Sequence, residues 1–313
     1  MLYRTLGRTG LRSSVIALGT GGFSRIGQGT GKTETDSVNI VRQAIDNGIN
    51  LVDSSELYGT EALVGQALSG ISRDQYILST KGGVYLNDRH KSGADLMQSL
   101  EDSLVRLKTD FVDIYHLHAV KIEDYDYVVS ELVPALIKLK EQGKIRFTGI
   151  TEGFASDAGH AALGRAARDE FWDVMMVGFN LLNQSARQRV LQPAAEHDIG
   201  TLDMFAVRRA LISFEQLRPM LQSLKEDGLI EASVADAEQP LSDLMEAADC
   251  SSLTELAYRF CVSEPNLHVI LSGTGDPDHL HQNIRDIQMG PLPADVRNRL
   301  IQIFAAVDTV SGQ

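Results

Sequence analysis

The sequence predicts a single (β/α)8 TIM barrel with an N-terminal β-hairpin and an extended loop after strand 7. Three observations carry that prediction. Strand-like and helix-like stretches alternate through eight βα units from Val15 onward. After the opening hairpin no antiparallel signal interrupts them, which favours a closed parallel barrel over an open doubly wound sheet. No Pro/Gly/Ser linker, low-complexity tract or sharp change of composition divides the 313 residues, so residues 1–313 are expected to form one domain. Barrels of this kind run to about 250 residues and more with insertions.

The elements follow in order. Tyr3–Leu6 and Leu11–Ser14 flank Gly7-Arg8-Thr9-Gly10 as the two arms of a hairpin. Val15–Gly19 reads as a buried strand running into Gly19-Thr20-Gly21-Gly22. Helical spacing covers Thr35–Asn47, and Gly48 stops it. Strand Ile49–Asp53 and helix Glu61–Leu68 follow, then strand Tyr76–Thr80 and helix Asp95–Leu107. The next pairs are Phe111–Leu117 with Val128–Gln142, Ile145–Thr151 with Ala158–Ala167, and Asp173–Phe179 with Ala186–His197. After strand Gly200–Met204 a polar, partly helical excursion runs to about Ala248. Helix Leu253–Glu264 and strand His268–Ser272 complete the alternation. The last helix starts at Asp276-Pro277, where aspartate caps and proline occupies the first turn.

Bulk composition narrows the function. The chain is 43% hydrophobic and 23% charged, as in an ordinary globular protein. A net charge of −13 with no basic stretch to offset it argues against nucleic-acid or anionic-membrane partners. Only Cys250 and Cys261 are present, which suits a reducing compartment and no disulfide framework. Met1–Arg8 has no apolar leader region and no long apolar run occurs later, so a cytoplasmic protein is expected. Nothing in the sequence speaks to oligomeric state.

In such a barrel, chemistry belongs at the C-terminal ends of the strands. The second strand ends at Asp53, and Ser54-Ser55-Glu56-Leu57-Tyr58-Gly59 presents a tyrosine just beyond it. The third ends in Ser79-Thr80-Lys81-Gly82-Gly83 and the fourth in Ile114-Tyr115-His116-Leu117-His118. Each residue alone has a plain structural role: a turn cap, a packed ring, a solvated amine, a core imidazole. Together an acid, a phenol, an ammonium and an imidazole reach one rim from neighbouring strands. A free phenol titrates near pH ~10, too high for efficient proton transfer at neutrality. Lys81 would stabilise its phenolate, Asp53 would hold the lysine, and His118 would orient a substrate oxygen.

These motifs resemble the aldo-keto reductase superfamily over nearly the whole chain. Asp53-Ser54-Ser55-Glu56-Leu57-Tyr58-Gly59 is similar to that family's Asp-Thr-Ala-x-x-Tyr-Gly, with serines for Thr and Ala. Lys81 followed by glycine, the run Asp110–His118 and the run Gly143–Thr151 match as well. The resemblance implies catalytic Asp53, Tyr58, Lys81 and His118, a nicotinamide cofactor, a small-molecule carbonyl or alcohol substrate, and no catalytic metal. His116, on the same strand face as His118, reads as a core or supporting residue.

The cofactor positions depart from the family pattern. Where the resemblance places Ser-Asn and Gln around the nicotinamide carboxamide, this chain has Thr151-Glu152 and Met176. An ionised Glu152 accepts from the amide NH2 but cannot donate to its carbonyl. Phe179 is the expected ring against the nicotinamide. Ser272, Gly273, Thr274 and Gly275, with His279 and Asn283, resemble the adenosine-phosphate segment. Gly273 and His279 stand where NADPH-preferring members carry Lys and Arg, so either NAD or NADP is expected, with a lean to NAD. Gly27-Gln28-Gly29-Thr30-Gly31-Lys32-Thr33 imitates a phosphate-binding loop, but Ile26 occupies the position its first glycine needs. The pairs His116/His118 and His279/His281 lack a third ligand for a metal. Arg208-Arg209 opens the long excursion as a solvated segment or an anion contact. Two alternatives accompany carbonyl reduction: an NAD-dependent sugar or alcohol dehydrogenase working mainly in oxidation, and a cofactor-binding sensor barrel with little turnover.

Overall fold

The computed structural model describes residues 1–313. Eight parallel strands close into a barrel in strictly sequential order. They are β1 (Ile16–Gly19), β2 (Leu51–Asp53), β3 (Ile77–Gly83), β4 (Val112–His118), β5 (Ile145–Thr151), β6 (Val174–Gly178), β7 (Gly200–Met204) and β8 (Val269–Ser272). Helices surround them, the (β/α)8 fold that the alternation predicts. The strands for which apolar residues fall on both faces must be covered on both, and they are. Ala17, Leu51, Ile77, Ile114, Met176 and Leu202 fill the barrel interior. A larger apolar layer packs between the strands and the outer helices.

The hairpin, Tyr3–Thr5 paired with Arg12–Ser14, plugs the end of the barrel opposite the strand tips. Leu6 and Leu11 join the inner apolar cluster. The plug explains Gly200, because a Cβ there would come 2.7 Å from Leu6 Cγ.

Helix ends are set locally. Thr33 and Ser92 form capping boxes with Asp36 and Asp95, satisfying backbone donors at the starts of helices Glu34–Asp46 and Gly93–Leu107. Glu61–Leu68, Ile145–Thr151 and Gly200–Met204 have the bounds expected from sequence. Strand β3 is longer than expected, reaching Gly83, because Ser79 to Gly83 pairs residue for residue with Ile114 to His118.

The extended segment after β7 carries three helices, Phe214–Glu226, Ala232–Ala235 and Ser242–Ala247. Leu217, Leu221 and Leu224 bury one face of the first. The helix beginning at Pro277 is not the last one, contrary to expectation. Ala294–Ile303 forms another, with Val296 and Leu300 buried. The tail beyond it returns to the strand tips, where Asn183 Nδ2 donates to Val310 O (2.8 Å) and Asn180 Nδ2 to Ser311 O (3.2 Å). No helix is long and apolar enough to cross a membrane.

Candidate active site

Strand register, with the loop after β2 that carries Tyr58, assembles the four expected residues at one rim. Asp53 pairs with Ser79 across β2–β3, Lys81 with His116 across β3–β4, and His118 faces Gly83. Asp53 Oδ2 lies 2.5 Å from Lys81 Nζ, and both side chains are almost wholly buried. Ser79 Oγ donates to Asp53 Oδ1 (2.8 Å), and Lys81 also donates to Ser54 O (2.7 Å). The lysine is therefore held from two sides. Burial alone would lower Lys81, but the Asp53 carboxylate and Tyr58 outweigh it and keep the ammonium above its ordinary range.

That ammonium sits 4.8 Å from the centre of the Tyr58 ring. The Tyr58 hydroxyl lies 3.5 Å from His118 Nε2, and the two rings meet edge-on. Burial, with Lys81 close by, drives the His118 imidazole down to about 3, so the ring is neutral at physiological pH. On its other side His118 Nδ1 is 3.1 Å from Ser55 Oγ. The loop carrying Tyr58 is tied to its neighbour: Glu56 Oε1 accepts from Gly83 N–H (2.6 Å) and Lys91 Nζ (2.6 Å). Gly21, in the loop after β1, leaves space for the phenol, since a Cβ there would lie 2.5 Å from Tyr58 Cε2. His116 faces into the barrel below this group, fully buried, with neither ring nitrogen hydrogen-bonded to a side chain or backbone atom.

At the tips of β5 and β6, Thr151 Oγ1 accepts from Ala119 N–H (2.8 Å). The buried Glu152 carboxyl accepts through one oxygen from Gly178 N–H (2.8 Å) and meets His160 Nδ1 at 2.8 Å. Its other oxygen, also buried, has no partner. Burial raises Glu152, opposed by His160 and the Gly178 amide. Met176 lies in the inner apolar layer beside Thr151 in register.

Phe179 is not where the sequence suggested. It lies on the outside of the barrel, fully buried and stacked on Phe260 (5.8 Å) with Arg187 over it (5.6 Å), so its ring is committed away from the rim. The residue follows β6 on the parity that faces the helices, which the sequence pattern alone did not register. The aromatic rings near the strand tips are Phe154 and Phe205, nearly parallel at 6.3 Å. Phe205 has φ of +74°, a strained conformation for a bulky side chain, and Arg208 lies 3.9 Å over its ring. Phe154 also stacks on His160 at 5.4 Å. The left-handed backbone of Phe205 and the Glu152–His160 pair, eight residues apart in the loop after β5, left no mark in the sequence.

The end of β8 is bound together more than it is open. Ser272 Oγ accepts from Asn283 Nδ2 (2.8 Å) and from the Tyr258 hydroxyl (3.2 Å). Thr274 Oγ1 accepts from Asp276 N–H (3.0 Å). Gly273 is exposed, and Gly275 lies under the loop after β1, where its Cβ would meet Gly27 N at 2.2 Å. The glycine run that imitates a phosphate-binding loop is thus a cover for the β8 end. Asp276 caps the next helix, accepting from Asp278 N–H (2.9 Å) and His279 N–H (3.2 Å).

A barrel with a lysine–carboxylate pair beneath a tyrosine and an imidazole at its C-terminal rim defines a class of carbonyl–alcohol oxidoreductases. The sequence profile of the Aldo/keto reductase family matches residues 15–304, and the chain belongs to that family. Among its relatives is an L-galactose dehydrogenase from Arabidopsis thaliana, 30% identical over 291 residues covering 90% of this chain and 86% of the relative. The holo form of an aldo-keto reductase from Bacillus halodurans superposes with a TM-score of 0.76 at 25% identity, covering 98% and 97% of the two chains. An aldo-keto reductase from Klebsiella pneumoniae in complex with NADPH shares the fold at 22% identity and a TM-score of 0.72, covering 99% of each chain. The protein is an oxidoreductase of this family.

Proposed function

We propose that the protein interconverts a small-molecule carbonyl and its alcohol with a nicotinamide cofactor, with Tyr58 as general acid in reduction and general base in oxidation. The observation that carries this is the buried Asp53–Lys81 pair set beneath Tyr58, with His118 Nε2 3.5 Å from the phenol oxygen. The cofactor, when bound, supplies or receives the hydride. The protein's residues manage the proton and the charge. Lys81 stabilises negative charge on the phenol oxygen as its proton leaves. Asp53 keeps the lysine charged and aimed, and the neutral His118 hydrogen-bonds the substrate oxygen beside Tyr58.

The residues expected to hold the cofactor fit it in part. The unpartnered buried oxygen of Glu152 suits a carboxamide NH2, with Thr151 beside it. Phe205, rather than Phe179, is the ring available near the nicotinamide. At the β8 end we favour NAD over NADP. Asp276 already takes two backbone N–H groups there, and Gly273 and His279 supply no strong cation for a 2′-phosphate.

The rim carries exposed apolar side chains from the loops after β1 to β4: Phe23, Leu57, Tyr85, Leu86 and Ile122. They favour a carbonyl flanked by aryl or alkyl groups. The second reading, sugar or alcohol oxidation, draws on the relative named L-galactose dehydrogenase. Titrating the purified protein with NADH and NADPH by cofactor fluorescence, then running aldehydes, ketones and sugars in both directions, separates these. Tyr58→Phe is expected to lose at least ~100-fold in turnover while binding cofactor as before. Unchanged steady-state turnover would overturn the mechanism.

A further inference from the structure

We infer that Ser55 is a positioning residue: its hydroxyl donates to His118 Nδ1 and so fixes the imidazole with its proton on Nε2, facing the reacting oxygen. The proposal rests on the reading of His118 as the donor to a substrate carbonyl, and it concerns a residue that stands where the resemblance places alanine.

A neutral imidazole carries one N–H, and which nitrogen bears it is decided by what faces the other. His118 Nε2 looks toward the Tyr58 hydroxyl at 3.5 Å, the gap in which a carbonyl oxygen would be gripped by both groups. A carbonyl oxygen only accepts, so a bare Nε2 there would repel it. Nε2 must carry the proton, and Nδ1 must then be an acceptor in need of a donor. Ser55 Oγ, fully buried and 3.1 Å away, is the group that meets Nδ1.

The serine has one proton to give, and its surroundings direct it to the ring. Its other acceptor within reach is the Lys81 carbonyl, at a longer 3.4 Å, and that carbonyl already accepts from Glu56 N–H at 3.2 Å. Leu57 N–H donates to Ser55 Oγ at 3.3 Å, filling one of the oxygen's two lone pairs and leaving its O–H as the remaining strong link to Nδ1. With an incoming backbone donor on the oxygen and the carbonyl engaged, the hydroxyl proton is best placed on Nδ1.

The test reads the tautomer directly in the full-length protein labelled with 15N-histidine. Long-range 1H–15N correlation spectra distinguish a protonated from a bare ring nitrogen, and the His118 signals are identified by their loss in His118→Asn. The expected wild-type result is a bare Nδ1 and a protonated Nε2. Ser55→Ala is expected to give a mixture of tautomers, with kcat/KM about fivefold lower, roughly what one neutral hydrogen bond is worth, and NADH affinity unchanged. Ser55→Thr, which keeps the hydroxyl, is expected to restore both readouts. A wild-type His118 protonated on Nδ1, or a Ser55→Ala protein with an unaltered tautomer, would overturn the assignment. If Ser55→Ala fails to fold, the wild-type spectrum still overturns the assignment when it shows Nδ1 protonated, and Ser55→Gly supplies the variant without the hydroxyl. Because the spectrum needs no turnover, the expected tautomer without activity on any carbonyl would sink the oxidoreductase mechanism and leave the assignment of Ser55 standing.

Discussion

Replacing Lys81 by methionine keeps most of its volume and removes its charge. In the wild type the ammonium is 2.5 Å from Asp53 Oδ2 and 2.7 Å from Ser54 O, with the lysine and aspartate side chains only 1% and 3% exposed. Without it, Asp53 keeps the Ser79 hydroxyl alone. Leaving one partner of a buried pair unpaired costs about 3–5 kcal/mol. The aspartate can escape by taking up a proton, and this caps its share. Moving a group with an ordinary pKa near ~4 to the neutral form at pH 7 costs roughly 3 units, or about 4 kcal/mol. Burial already holds the Asp53 carboxyl above its ordinary range in the wild type, against the pull of Lys81 and Ser79, and removing the ammonium raises it further above the unfolded value. The stability held by protonated Asp53 is present in acid and lost as pH rises, so the deficit against wild type is largest near pH 7 and narrows toward pH 5. Urea unfolding followed through the single, fully buried Trp172 measures it. Adding Asp53→Asn should restore most of the stability, because a neutral amide needs no ammonium, while turnover stays at least ~100-fold down. A Lys81→Met protein as stable as wild type at pH 7, or a double variant that regains turnover, would refute the reasoning.

Two other perturbations test neighbouring parts of the structure. Gly21→Ala places a methyl 2.5 to 2.8 Å from three ring atoms of Tyr58, and the half-exposed ring must retreat by about 1 Å to reach ordinary contact. Turnover is expected to fall by up to ~100-fold with little change in thermal midpoint; an unaltered kcat would show that the phenol need not sit where it does. Asp203, on β7 but facing the outer helices, is fully buried with no hydrogen-bond donor at normal length, and burial holds its carboxyl well above the usual range. Its neutral form stabilises the fold in acid, and that contribution disappears as pH rises toward the raised folded-state value. Asp203→Asn should therefore gain on wild type, by roughly 1 kcal/mol or more, as urea midpoints are compared from pH 5 to pH 8. A difference that does not change with pH would count against a buried titrating carboxyl.

The alternation of strand and helix and the chemistry at three strand tips are properties of local sequence, and they were legible there. Ile49–Gly59 encodes a strand, a carboxylate and a loop with a phenol within eleven consecutive positions. Closure of a sequential parallel barrel then forces β2, β3 and β4 side by side, so Asp53, Lys81 and His118 must share a rim. The positions expected to hold the cofactor were harder because their placement depends on which way a side chain leaves the end of a strand. Phe179 is one residue past β6 and turns outward to Phe260, whereas Phe205 is one residue past β7 and stays with Phe154 through a left-handed backbone angle. No periodicity distinguishes them, because alternation ends where the strand ends. The same holds for Glu152 with His160 inside one loop, for Ser55 with His118 between a loop and a strand tip, and for Gly21 with Tyr58 between two loops. By itself the sequence determined the barrel and the four residues at its rim, since both follow from period and strand order. Only the tertiary structure decided which partners hold those residues, because contacts that involve loops are fixed by packing that strand and helix spacing does not encode.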